Sequence, residues 1–296
     1  MVQGQPGRGE TAGLARENCM RLYLGFDDTD DADADFGTGR VVRDFCALVG
    51  DRAVVAGIIR HQLPRLEGIP YTSHNSSACV LLDVPGRESL PGLVELAAGH
   101  LQRVSAPGAD PGLCCALADE VPDGLVGFGL ECNGRKVSQA DALRATAGLT
   151  LLGLGGTNDG IIGAAAAVGL TRYGWSGRCI IWGNMRSLPD PVSVAQLAAE
   201  GVRTVNVDRD ALVPQPGDLV RGGWIRPSVL AGQPVLQVLA DGPGCWRTAH
   251  TKRPKAHAPN AKGAQAGHGA GRGPGTGGGN GAGAGLRNRP TVPGIA

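Results

Sequence analysis

The sequence predicts an α+β fold, a mixed sheet carrying helices on one face, with an unstructured segment at each end. Three observations lead there. Apolar runs of strand length alternate with stretches of helical spacing, the order over the first hundred residues reads β-α-β-β-α, and the chain after residue 245 holds almost nothing to bury. At 296 residues, the chain has room for one large domain or two modest ones.

Residues 21–26 (Arg-Leu-Tyr-Leu-Gly-Phe) form a short strand pattern. An acidic loop follows, then helical spacing over 40–49, where Val41, Val42, Phe45 and Leu48 share a face. The runs 53–59 and 78–84 are near-continuously apolar, as inner strands are. A polar loop, 64–77, separates them, and 89–104 returns to helical spacing. Residues 139–152 contain good helix formers, with Ser138 as N-cap and Asp141 in the first turn. A glycine-rich turn at 153–160 then opens a small-residue helix at 161–168. Strands are expected at 178–182 and 204–207, a helix at 192–200, and a small β subdomain of short segments over 212–239. The sequence thus divides into a flexible N-terminus (1–20), a folded body (21–245) and a disordered basic Gly/Ala-rich tail (246–296).

Charge is unevenly distributed. After Asp241 there is no acidic residue, yet Arg247, Lys252, Arg253, Lys255, Lys262, Arg272, Arg287 and Arg289 follow. The body is correspondingly acidic. A basic flexible tail can act as a salt-sensitive arm for RNA, or simply as a solubilising segment; no DNA partner is expected. The eight cysteines include no C-x-x-C pair, and most sit in apolar stretches, which predicts buried thiols rather than a zinc ribbon or a disulfide framework. The N-terminus lacks an apolar h-region and no run approaches 18 apolar residues, so a cytoplasmic protein without a membrane partner is expected.

The densest chemistry lies at the end of the first strand, where Asp27, Asp28 and Asp30 bracket Thr29. Three carboxylates within four residues repel one another unless a cation neutralises them, and hard oxygen donors favour Mg²⁺ or Ca²⁺. An EF-hand is disfavoured: counted from Asp28, position six is Asp33 rather than glycine, and no Glu closes the loop. An acidic surface turn is the plainer alternative. Gly37-Thr38-Gly39 opens a helix, so its amides can cradle an anion and Thr38 can cap the helix or accept a phosphoryl group. Gly156-Thr157-Asn158-Asp159-Gly160 is a second candidate phosphate loop, although it lacks both the Walker lysine and a G-x-G-x-x-G pattern. His74 and Asn75 lie in a polar run, 70–77, suited to a substrate loop.

These pieces, in this order, resemble the archaeal family of 2-agmatinylcytidine synthetases that modify an isoleucine tRNA. The resemblance rests on Asp27-Asp28-Thr29-Asp30 with Thr38, on the loop 69–76, on Asp110-Pro111-Gly112, and on 160–169; it covers about 21–210. It implies an ATP-dependent carbon–nitrogen ligase, or a kinase-like phosphotransferase. Mg-ATP would be held by Asp27, Asp28 and Asp30, and Thr38 and the turn before Ile161 would lie near the phosphates. It also implies an N-terminal ATP-binding catalytic domain and a ferredoxin-like or small second domain. Two departures stand out. The family's C-terminal OB-fold and zinc ribbon have no counterpart here, and His74 stands where the family carries a basic arginine. The expectation is a truncated relative with an unknown acceptor, an RNA base or a small molecule. The alternatives are a non-catalytic nucleotide- or RNA-binding protein and a calcium-stabilised structural domain.

Overall fold

A computed structural model describes residues 19–31, 37–69 and 75–250. The flanking segments, 32–36 and 70–74 lie outside the described residues, so the expectations for both ends, for His74 and for the later aspartates of the acidic run are not addressed by it. The described residues belong to one compact unit.

The chain begins β1 (Met20–Asp27), α1 (Thr38–Val49), β2 (Val54–Gln62), β3 (Ser76–Val84), α2 (Leu90–Val104), β4 (Gly112–Leu117). These four strands pair antiparallel in the order β4-β1-β3-β2, the split βαβ arrangement of a ferredoxin-like unit. The ferredoxin-like part is therefore the part that carries the aspartates. Alternation along β1 sorts its side chains. Leu22, Leu24 and Phe26 enter a core with Val41, Val42 and Phe45 of α1 and Leu93, Ala97 and Leu101 of α2. Phe26 and Phe45 meet with ring centroids 5.3 Å apart. His100 closes this layer, its Nε2 2.9 Å from the Val41 carbonyl, which accepts the hydrogen bond.

The opposite face of the sheet is also covered, so the expectation of helices on one face alone is corrected. Here pack α3 (Asp123–Cys132), α4 (Gln139–Ala145) and α5 (Gly160–Tyr173), joined by the edge strand β5 (Thr150–Gly153). Residues 163–171 of α5 are buried all round, which explains their small side chains. Gly25, on the β1 side that faces α5, is required by this approach: a Cβ there would overlap the Ala164 carbonyl oxygen. The helix expected over 139–152 stops at Ala145. Thr146 turns its hydroxyl back onto the Ala142 carbonyl, Gly148 adopts φ 84°, and Leu151 and Leu152 then pair with β4.

The remainder is β6 (Arg178–Trp182), β7 (Val192–Ser193), α6 (Val194–Ala199), β8 (Arg203–Asn206), β9 (Leu219–Arg221), β10 (Ser228–Leu230), β11 (Gln233–Ala240) and β12 (Cys245–Thr248). The helix expected from 192 begins two residues later because Ser193, paired in β7, serves as its N-cap. This region has its own small core of Val192, Leu197, Val202, Val220, Leu236, Val238 and Trp246. It joins the main sheet through β6 and β10, giving, among the described residues, twelve strands in one sheet. Ordered structure also runs past the expected boundary at 245, since Trp246 is buried within β12. The overall architecture is α+β with a mostly antiparallel sheet. All eight cysteines are free, and burial pushes Cys79 and Cys115 up to about 12. Among the described residues, no helix is long and apolar enough to cross a membrane.

Candidate nucleotide and metal site

The acidic turn occupies the end of β1. Asp27 follows the parity of Tyr23 and Gly25, so its carboxylate faces α5, where Gly163 leaves the space it fills; a Cβ at Gly163 would overlap the carboxylate. Asp28 turns the chain with φ 53°, a left-handed conformation uncommon for a residue with a Cβ and one that concentrates at functional sites. Thr29 is buried beneath, donating its hydroxyl to Thr38 Oγ1 at 3.1 Å. Asp30 lies near the start of α1, its Oδ2 3.6 Å from where a Gly37 Cβ would be. Gly160, the first residue of α5, packs against Asp28 and Asp110 so closely that any side chain is excluded. Two helix N-termini therefore flank the acidic turn, and their positive ends favour negative charge there.

The carboxylates are strained electrostatically. Burial, then the charge of Asp28, pushes Asp27 up to about 8. Burial, then the charges of Asp110 and Asp30, pushes Asp28 up to about 6. Asp110, absent from the residues singled out on chemistry alone, organises the neighbouring loop. It accepts hydrogen bonds from the Thr157 amide (2.9 Å) and hydroxyl, and its carbonyl accepts from the Gly160 amide (3.1 Å).

The aspartates line a cavity of about 610 Å³, the size of a small-molecule site. Asp27, Asp28, Asp30, Asp31, Asp110 and Asp159 form its acidic side. Leu63, Ile69, Val137 and Ile162 supply apolar walls, while Arg135 and Lys136, between α3 and α4, bring cations to the same space. Lys136 Nζ donates to the Gly68 carbonyl at 2.5 Å, tying the two loops together. Thr38 and Asn75 also line the cavity; Asn75 is fixed by donating to the Pro64 carbonyl at 2.7 Å. Asp159 accepts from Gln139 Nε2 at 2.6 Å.

Not every expected contact faces this space. The turn 156–160 wraps Asp110: the Thr157 and Gly160 amides are spent on that residue, and Asn158, at φ 66°, turns toward Gly153. Of that turn, Asp159 reaches the cavity lining, whereas Gly156, Thr157, Asn158 and Gly160 do not. Gly39 packs toward Ile180 of β6, and Gly37 caps α1 without lining the cavity. Among the described residues, no group of three or more His, Cys, Asp or Glu is arranged to hold a metal ion. The donor set nonetheless suits Mg²⁺, which usually takes one or two carboxylates and completes its shell with water and phosphate oxygens. Asp27 and Asp28 are two half-buried carboxylates whose ionisation a divalent cation would restore. Arg135, Lys136 and Gly163 were not legible as site residues because nothing in their local sequence marks them.

No protein-family profile and no curated protein sequence matches this chain. Solved structures do. A complex of TiaS with an isoleucine tRNA, AMPCPP and agmatine aligns at 21% identity and TM-score 0.43, over 50% of this chain and 36% of that one. A tRNA fluorescent labelling enzyme aligns at 23% and 0.43, over 51% and 36%. Apo TiaS, an agmatidine synthetase of the same tRNA, aligns at 21% and 0.44, over 51% and 35%. The chain spans about a third of the length of these proteins.

Proposed function

We propose that the cavity binds ATP with Mg²⁺ and that the protein transfers a phosphoryl or nucleotidyl group to activate an acceptor, as a carbon–nitrogen ligase or a kinase-like phosphotransferase. The observation that carries this reading is the cavity itself: half-buried carboxylates with raised pKa, flanked by two helix N-termini, share it with Arg135 and Lys136. Sites of this polarity suit a triphosphate, whose negative charge needs both cations and fixed dipoles.

Asp27 and Asp28 would hold Mg²⁺ with Asp30 near them, and the bound metal would supply neutralisation of charge on the phosphates. Arg135 and Lys136 would meet phosphate oxygens, and the walls of Leu63, Ile69 and Ile162 would take the base. Thr38, 6% exposed at the first position of α1, is the candidate phosphoacceptor. Its hydroxyl oxygen would bond the γ-phosphorus, ADP would leave, and the proton would pass to solvent or a neighbouring carboxylate. The motif order that resembles the agmatinylcytidine synthetases supports an RNA base or an amine-bearing small molecule as acceptor, with tRNA as the candidate RNA. The basic segment after 246 would assist, and a cytoplasmic location fits such work.

Incubation of the purified chain with α- and γ-labelled ATP and Mg²⁺ tests this reading. Label release that depends on Mg²⁺ and disappears in Asp28→Asn is expected. Turnover that is unchanged in Asp27→Asn and Asp28→Asn would refute it.

A further inference from the structure

Three arginines from separate segments gather beside the exposed indole of Trp224, and a fourth, Arg60, lies near enough to Arg226 to feel its charge. Arg43 comes from α1, Arg60 from β2, Arg186 follows β6, and Arg226 precedes β10. The Arg186 guanidinium carbon lies 4.1 Å from the Trp224 ring centroid, with those of Arg43 and Arg226 at 5.8 and 6.0 Å. None of the four arginines, nor Trp224, lines the aspartate cavity.

Like charges gather at this density only where something offsets them. Among the described residues none of the four guanidinium groups is held in an ion pair. Burial and the charge of Arg226 push Arg60 down, against the charge of Asp30; burial, Arg226 and Arg43 push Arg186 down to about 10. Arg186 is nevertheless held in place, donating Nε to the Ile180 carbonyl (2.7 Å) and Nη1 to the Ile225 carbonyl (2.8 Å). Its Nη2 and the Nε of Arg43 are buried with no partner. Unsatisfied buried donors are rare in native proteins, and here both belong to cations, so the missing partner is an anion.

We propose that Arg43, Arg60, Arg186 and Arg226 form a second anion site, which takes the phosphodiester of a single nucleic-acid strand while a neighbouring base lies against Trp224. Guanidinium forks match phosphate oxygens two at a time, and an exposed aromatic beside them is the usual platform for an unpaired base. Trp224 is 52% exposed, leaving indole surface available for that contact. The site stands on its own geometry and does not depend on the reading of the aspartate cavity.

The test uses the full chain, whose basic segment after residue 246 also attracts polyanions, so the variants separate the two. Anisotropy of a labelled single-stranded oligoribonucleotide, and of its deoxy counterpart, is followed over a range of salt. Trp224→Ala, which changes no charge, weakens binding by about fivefold or more. Arg226→Gln and Arg43→Gln each flatten the dependence of log affinity on log salt by about 0.7. Arg226 and Trp224 are exposed, so these two variants keep the fold, which circular dichroism checks. Wild-type affinity in all three variants would place the strand elsewhere and overturn the proposal. Displacement of the oligonucleotide by inorganic phosphate or by AMP at equal phosphate concentration would likewise overturn it, leaving a site for small anions.

Discussion

Replacing Asp27 by Asn separates stability from binding in a way few other changes would. In the metal-free protein, Asp27 is pushed up to about 8 from an ordinary 3.8, chiefly by burial and then by the charge of Asp28. Between those two values the folded state keeps a proton that the unfolded chain has released. The favourable contribution is complete below about pH 4 and is lost as pH rises through 8. Each pH unit in that interval removes about 1.4 kcal/mol, so on the order of 5 kcal/mol is lost by pH 8 through this one group. Asn carries no charge and fills a similar volume, so Asp27→Asn should match wild type near pH 4. At pH 8 in chelator it should be more stable by about 5 kcal/mol, a rise in Tm of roughly 10–20 °C for a body of this size. The same variant should lose the stabilisation that Mg-ATP gives wild type. Scanning calorimetry across pH, with and without Mg-ATP, reads both effects. A Tm equal to wild type at pH 8, or a gain of equal size at pH 5, would refute the reasoning.

Other expectations follow from the same contacts. Gly163→Ala places a methyl group where the Asp27 carboxylate sits, so Mg-ATP should no longer raise Tm, while far-UV circular dichroism remains native. Gly25→Ala meets the α5 backbone instead, and urea titration should show a loss of about 2 kcal/mol or more, if the protein folds at all. Arg135→Gln and Lys136→Gln are surface changes that should leave urea midpoints within about 0.5 kcal/mol of wild type. Each should weaken ATP binding by roughly tenfold, as calorimetric titration would show. Intact-mass analysis after incubation with Mg-ATP should reveal one added phosphoryl group, absent from Thr38→Val. His61 is buried between the Thr171 and Ser176 hydroxyls and pushed down to about 3 by burial. Its contribution is complete above about pH 6.5 and lost as pH falls toward 3, so His61→Gln should shift acid unfolding to lower pH, followed by tryptophan fluorescence.

The acidic turn is legible in the sequence because its signal is local. A short strand with alternating apolar residues delivers Asp27 to one face and Phe26 to the other, and charge density alone marks the turn as special. The ferredoxin-like order is partly legible, since β1, α1 and α2 carry their own periodicity and β2 and β3 read as near-continuous apolar runs. β4 reads only as an apolar run with two cysteines, because a fully buried strand shows no alternation. The helix expected over 139–152 fails for a tertiary reason: Leu151 and Leu152 have good helix propensity, but pairing with β4 wins. The phosphate-loop reading of 156–160 finds a real helix start and misses that Asp110, distant in sequence, has already taken its amides. Arg135, Lys136 and the arginines around Trp224 are invisible for the same reason, since only the folded chain brings them together.

The claim on which the account turns is that the carboxylates at the end of β1 hold a divalent ion together with a nucleotide. Isothermal titration of ATP into the full chain, with Mg²⁺ and then with chelator, tests it most directly. Saturable one-site binding that requires Mg²⁺ and vanishes in Asp27→Asn is the expected result. Equal affinity with and without the metal, or in the variant and wild type alike, would contradict it.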